Sequence, residues 1–88
     1  MTFGEYIKLK RKESKISQHT LALACGFTHR AQLSKLEAGK IEWKLSEVYA
    51  IAPMLGTTGA GLLSEFESRY MYFEAKKSAH MALSKPSF

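Results

Sequence analysis

The chain has 88 residues, 45% of them hydrophobic and 24% charged, which suffices for one small core and excludes a second catalytic lobe. No run approaches the ~18 to 20 apolar residues that a membrane span needs, and the single cysteine, Cys25, cannot close an intrachain disulfide. The net charge of +5 lies in one half: residues 1–44 hold nine basic and four acidic groups, and residues 45–88 hold four of each.

Clustered Lys and Arg are favoured on nucleic acid by counterion release, so a polyanion-binding face is expected, with a merely solvated basic helix as the plainer alternative. The opening residues Met1-Thr2-Phe3-Gly4-Glu5 show no basic-then-apolar signal pattern, and with one cysteine the expected location is cytoplasmic. A domain of this size buries only about 60 to 65% of its unfolded surface, which favours a stabilising partner and makes a dimer a reasonable expectation.

Helical periodicity dominates and no stretch alternates apolar and polar residues long enough for a strand, so the predicted fold is all-α. A first helix over about Phe3 to Glu13 places Phe3, Ile7 and Arg11 on one face and Lys8 and Lys12 outside, with Lys15 beyond it. Ser17 is a good N-cap for a second helix with Leu21, Ala22 and Cys25 inward, ended by Gly26. A third helix spans Arg30 to Ala38 with Leu33, Leu36 and Glu37 inward, closed by Gly39. A polar loop, Lys40 to Lys44, leads to a fourth helix from Leu45 or Ser46 to Leu55, in which Pro53 predicts a kink or an early end. Thr58 can cap a fifth helix whose start is weakened by Gly59 and Gly61, each costing about 1 kcal/mol relative to Ala. Beyond it Leu63, Phe66, Tyr70 and Phe73 form an apolar stripe at helical spacing. The stripe reads first as a dimer seam, with folding back onto the domain's own core and a different partner as the alternatives.

Residues Ile16 to Lys40 join two short helices through a glycine-containing turn, a helix-turn-helix in which Ala22 is small where the helices cross and Leu21, Leu33 and Leu36 lock the pair. Held this way, the second helix of the pair has the width of the DNA major groove.

The motifs Ser17-Gln18-x-x-Leu21-Ala22, Gly26, Leu33-Ser34-x-Leu36-Glu37-x-Gly39-Lys40 and the upstream Arg11 together resemble the phage-repressor and Cro-like helix-turn-helix domains, the XRE family, over about residues 3 to 66. The resemblance implies a compact five-helix lambda-repressor-like domain over residues 1–66, with a C-terminal helical extension over 67–83 for dimerisation and a loose tail over 84–88. It implies a bacterial or phage-encoded transcriptional regulator, a repressor or autoregulating controller, bound as a homodimer to an inverted-repeat operator in double-stranded DNA. The alternative is an antitoxin-type protein that grips a partner protein through its C-terminal segment and its own promoter through the N-terminal domain. No enzyme, cofactor, metal, membrane or small-molecule ligand is expected: His19, Cys25 and His29 lack the paired spacing of a zinc site, and Cys25 has no evident activating group.

The spacing from Gly26 to Leu33 is one residue longer than is usual in the family, which leaves open whether Thr28 or His29 caps the third helix. At about 100° per residue, Ala31, Ser34, Lys35 and Ala38 lie opposite the buried arc, Arg30 stands at the helix start and Gln32 flanks the face. Arg30 and Lys35 suit guanine, Gln32 suits adenine and Ala31 can pack on a thymine methyl, so the expected base-reading set is Arg30, Ala31, Gln32, Lys35, Thr28, His29 and Ser34. Gln32 can instead be a solvated flank, and Lys35 can serve phosphate. The expected phosphate contacts are Ser17, Gln18, Lys40 and Lys44, against plain capping for the first two and unpartnered loop lysines for the others. The resemblance further pairs Arg11 with Glu37 as a structural ion pair tying the first helix to the third. Trp43 is expected to cover the core edge or to lie against DNA.

Overall fold

In a computed structural model of the protein, which describes residues 1–71, the chain winds through α1 (Phe3–Glu13), α2 (Gln18–Ala24), α3 (Arg30–Glu37), α4 (Leu45–Ile51) and α5 (Gly59–Phe66). A 3-10 turn over Ala52–Leu55 extends α4, a π-helical stretch over Glu67–Met71 extends α5, and no strand occurs among the described residues. The boundaries follow local chemistry. Thr2, Ser17 and Thr58 cap α1, α2 and α5 by accepting the N–H groups of Glu5, Thr20 and Gly61 at 3.2, 3.1 and 3.0 Å, relieving donors that a helix start leaves unpaired. At the end of α1 it is Lys15, not a glycine, that takes the left-handed conformation (φ 58°), letting the Ile16 N–H reach the Arg11 carbonyl at 3.0 Å. Pro53 ends α4 early: it sits at the start of the 3-10 turn, where its missing N–H costs little, and Gly56 closes the turn.

The core draws on every helix: Tyr6 and Ile7, Leu21 and Ala22, Leu33 and Leu36, Val48 and Ile51, then Ala52, Leu62 and Phe66, all buried. Two results depart from the expected pattern. Tyr6, which periodicity left off the inward face of α1, is only 1% exposed. Phe66, expected at a dimer seam, belongs to the chain's own core, with ring centroids 5.3 Å from Phe3 and 5.4 Å from Tyr6. Tyr70 packs on the same group at 5.6 Å from Tyr6, and Leu63 is half-buried beside it. The aromatic face of α1 thus receives the stripe of α5, and burial within one chain satisfies these rings without a second copy. Phe73, with the remainder of the expected 67–83 extension beyond Met71 and the 84–88 tail, lies outside the described residues.

Where α1 meets α5, the Tyr6 hydroxyl donates to Glu65 Oε1 at 2.9 Å and Lys10 Nζ approaches the same oxygen at 2.8 Å. The bonds from Lys10 and then Tyr6 hold the Glu65 carboxyl below its usual range, whereas burial, helped by Glu65, pushes the Tyr6 hydroxyl above the usual tyrosine range. The two linkages have opposite signs. Glu65 contributes stability that is complete above about pH 4.3 and lost as pH falls through its lower folded value, and Tyr6 contributes stability that is complete below about pH 10 and lost as pH rises beyond it. A melting-temperature profile against pH should therefore drop at both ends. Tyr6→Phe should flatten the alkaline limb and Glu65→Gln should shallow the acid limb, and limbs unchanged in both variants would exclude the contact as their source.

Candidate nucleic-acid interface

The α2–α3 pair is set by its turn. Gly26 adopts φ 82°, a left-handed conformation that a side chain would strain, and this lets the Phe27 N–H bond the Ala22 carbonyl at 3.0 Å. Phe27 then turns onto the core, Thr28 stays exposed in the turn, and α3 begins at Arg30. His29 is the N-cap residue, with extended backbone (φ −132°, ψ 141°), and its N–H donates to the Gln32 side-chain oxygen across a long 3.5 Å. The additional turn residue is thereby absorbed before the helix starts.

Leu33, Leu36 and Glu37 are buried, while Arg30, Ala31, Gln32, Ser34, Lys35 and Ala38 are exposed on the other side of α3. Behind that face lies a buried polar network. Arg11 Nε donates to Glu37 Oε2 at 2.7 Å and Nη2 to Oε1 at 3.2 Å, while Nη1 donates to the Ile16 carbonyl at 3.0 Å. Gln18 Nε2 donates to the same Glu37 Oε1 at 2.9 Å. One carboxylate thus ties the end of α1, the first turn of α2 and the last turn of α3 together, in the bidentate arrangement that makes Arg–carboxylate pairs strong. The part of Gln18 in this network is absent from any periodicity in the sequence, because it depends on the α2 start abutting the α3 end. Ser17 is also engaged locally, donating its hydroxyl to Thr20 Oγ1 at 2.9 Å while capping α2.

The charge of the first half divides in three dimensions. Arg11 is neutralised by Glu37 and Lys10 by Glu65, while Lys8, Lys12, Lys15, Arg30, Lys35, Lys40 and Lys44 remain exposed. Lys40 and Lys44 flank the loop that leaves α3; the Lys44 backbone N–H donates to the Glu47 carboxylate at 2.7 Å, which fixes the start of α4. Trp43, between them, is half-buried and meets Phe3 edge to face at 5.5 Å.

A family model described as helix-turn-helix matches residues 7–62. The chain belongs to this helix-turn-helix family. Among the described residues, helices α1 to α5 form the lambda-repressor-like arrangement of such domains, with further helical turns after α5. Comparison with curated proteins and with solved structures gives no match. Membership in the helix-turn-helix family supports a general DNA-binding regulatory role. Burial, with a smaller contribution from Glu47, pushes the Cys25 thiol up to about 11, so at neutral pH it holds its proton and is a poor nucleophile. Among the described residues no group of three His, Cys, Asp or Glu side chains could hold a metal ion, and no helix is long and apolar enough to cross a membrane.

Proposed function

We propose that the protein is a sequence-specific regulator of transcription that binds an inverted-repeat operator in double-stranded DNA as a homodimer, laying α3 in the major groove. The observation that carries this reading is the division of α3 into a buried side locked by the Arg11–Glu37–Gln18 network and an exposed side bearing Arg30, Gln32, Ser34 and Lys35. A reading helix must be rigid behind and polar in front.

In this reading Arg30 enters the groove first and pairs with guanine, Lys35 follows five residues later, and Ala31 meets an apolar base edge. Gln32 reaches adenine by releasing its 3.5 Å bond to His29, a weak and exposed contact. Thr28 and His29 border the groove at the helix start, and Ser34 lies within the reading face. Gln18 gives Glu37 one amide hydrogen and keeps the other for a phosphate near the first turn of α2, beside Ser17. Lys40 and Lys44 clamp the backbone beyond α3.

Two substitutions separate base reading from phosphate contact. Arg30→Ala should cost about 1 to 3 kcal/mol of discrimination at one position in each half-site. Lys40→Ala should weaken all duplexes alike and reduce the slope of affinity against salt by about one for each phosphate that the lysine would otherwise neutralise. Selection of bound duplexes from a random pool, repeated with both variants, reads these effects. An Arg30→Ala protein that selects the wild-type site would remove Arg30 from base reading, and a pool that yields no inverted repeat would remove the symmetric operator.

A further inference from the structure

We propose that Lys8, Lys12 and Lys15 form a second phosphate-binding strip, which holds the backbone of duplex lying outside the bases that α3 reads; the inference rests on the DNA-binding reading above and lengthens its footprint. Of the seven exposed cations in the first half of the chain, that reading uses Arg30, Lys35, Lys40 and Lys44, and these three remain. None of the three makes an ion pair among the described residues, where the acids engaged are Glu65 with Lys10 and Glu37 with Arg11. On α1 the residues that meet α3 are Gly4, against the Leu36 carbonyl, and Arg11, against Glu37. Those that meet α5 are Tyr6 and Lys10, both on Glu65. At about 100° per residue, Lys8 and Lys12 come about 40° and 80° past Gly4, on the side away from α5, and Glu13 stands about 100° beyond Lys12. Glu5 is the acid that shares this side, and its carboxylate accepts the Thr2 hydroxyl at 3.3 Å. Lys15 continues the row into the bend before α2, where the Arg11 guanidinium bonds the Ile16 carbonyl at 3.0 Å. The strip therefore starts beside Ser17 and Gln18, already set against a phosphate in the DNA reading, and runs back along α1.

These cations stand where folding alone favours other residues. Lys8 and Lys12 are one turn apart on one side of α1, and like charges at that spacing destabilise a helix. Lys15 holds φ 58° and is the one non-glycine residue with a positive φ among the described residues, in a conformation that strains a side chain and suits glycine. Attraction to the negative end of the α1 dipole explains a base in the last turn, as at Lys12. It explains neither Lys8, one turn earlier, nor the backbone angle of Lys15. A polyanion reverses the balance, because phosphates neutralise neighbouring cations and release condensed counterions. A row that repels itself in the free chain is then stabilised on the duplex, and its continuity with Gln18 selects the duplex that α3 already occupies.

The test measures binding of the full-length chain to its selected operator, and to the same operator with flanking base pairs removed, over a range of salt concentrations. Lys8→Gln, Lys12→Gln and Lys15→Gly are made singly and together. The triple variant should lose about 0.9 from the slope of log affinity against log salt for each phosphate contact removed, up to about 2.7 for each protomer bound. It should select the same bases as the wild type. Trimming the flanks should weaken the wild type and leave the triple variant nearly unaffected. Lys15→Gly alone should weaken binding without lowering the melting temperature, because glycine relieves the left-handed backbone, whereas a purely structural lysine would move stability and affinity together. This single variant also keeps the test valid if the triple variant folds poorly. Folded variants that keep the wild-type slope and flank dependence would overturn the inference, as would affinity lost with neither changed. If those variants still choose bases in an Arg30-dependent way, the strip is removed and the DNA reading stands. A wild type that binds no duplex at low salt removes both.

Discussion

Replacing Glu37 by alanine should lower folding stability by about 3 to 5 kcal/mol and weaken duplex binding in the same protein. The carboxylate is 3% exposed and receives three hydrogen bonds, two from Arg11 and one from Gln18. Its removal leaves a guanidinium that is 8% exposed with the Ile16 carbonyl as its remaining acceptor, and stranding a buried charge accounts for most of the expected loss. Urea unfolding measures the loss, and an unchanged midpoint would show that the pair contributes nothing. The combined change Arg11→Met and Glu37→Met separates fold from function. Exchanging both partners for apolar groups of similar size is often neutral for stability, so this variant should regain most of the stability. It should still bind duplex more weakly, because Gln18 is then without the acceptor that orients it.

Gly4→Ala should cost about 3 kcal/mol, the upper end of the usual range for overpacking, although alanine is the better helix former by about 1 kcal/mol. A methyl group at Gly4 would overlap the Leu36 carbonyl oxygen and stand 2.7 Å from that of Glu37. Both are backbone atoms at the end of α3, so no rotamer change relieves the clash. Relief requires α1 to withdraw from α3, which in turn strains the 2.7 Å bond between Arg11 and Glu37. Thermal unfolding checks the sign directly: a variant more stable than wild type would mean that propensity prevails and that α1 does not approach α3 this closely.

Both positions show how far the sequence reaches. Leu33, Leu36 and Glu37 could be placed on the buried arc of α3 by counting, and Ala31, Ser34 and Lys35 on the opposite one, because an amphipathic helix repeats every 3.6 residues whatever surrounds it. Ser17, Gly26 and Gly39 marked helix ends for equally local reasons, through a capping oxygen and two left-handed backbone positions. Partners distant in the chain left no such trace. Tyr6 lies off the apolar stripe of α1 and is buried because α5 brings Glu65 and Phe66 to it, 59 and 60 residues later. Nothing near Gly4 in sequence signals that a carbonyl of another helix sits against it.

Spacing and the residue types at helix ends therefore suffice for the helices of the domain, the helix-turn-helix within them and the exposed face of α3. The tertiary structure alone decided how the charges and aromatic rings are used. It assigned Lys10 to Glu65, added Gln18 to the Arg11–Glu37 pair that the resemblance had implied, turned Phe66 inward and left Ile41, Leu45 and Tyr49 outside. The physical reason is that an i, i+4 pattern tells a residue which way to face, whereas the identity of what it faces depends on how the helices cross.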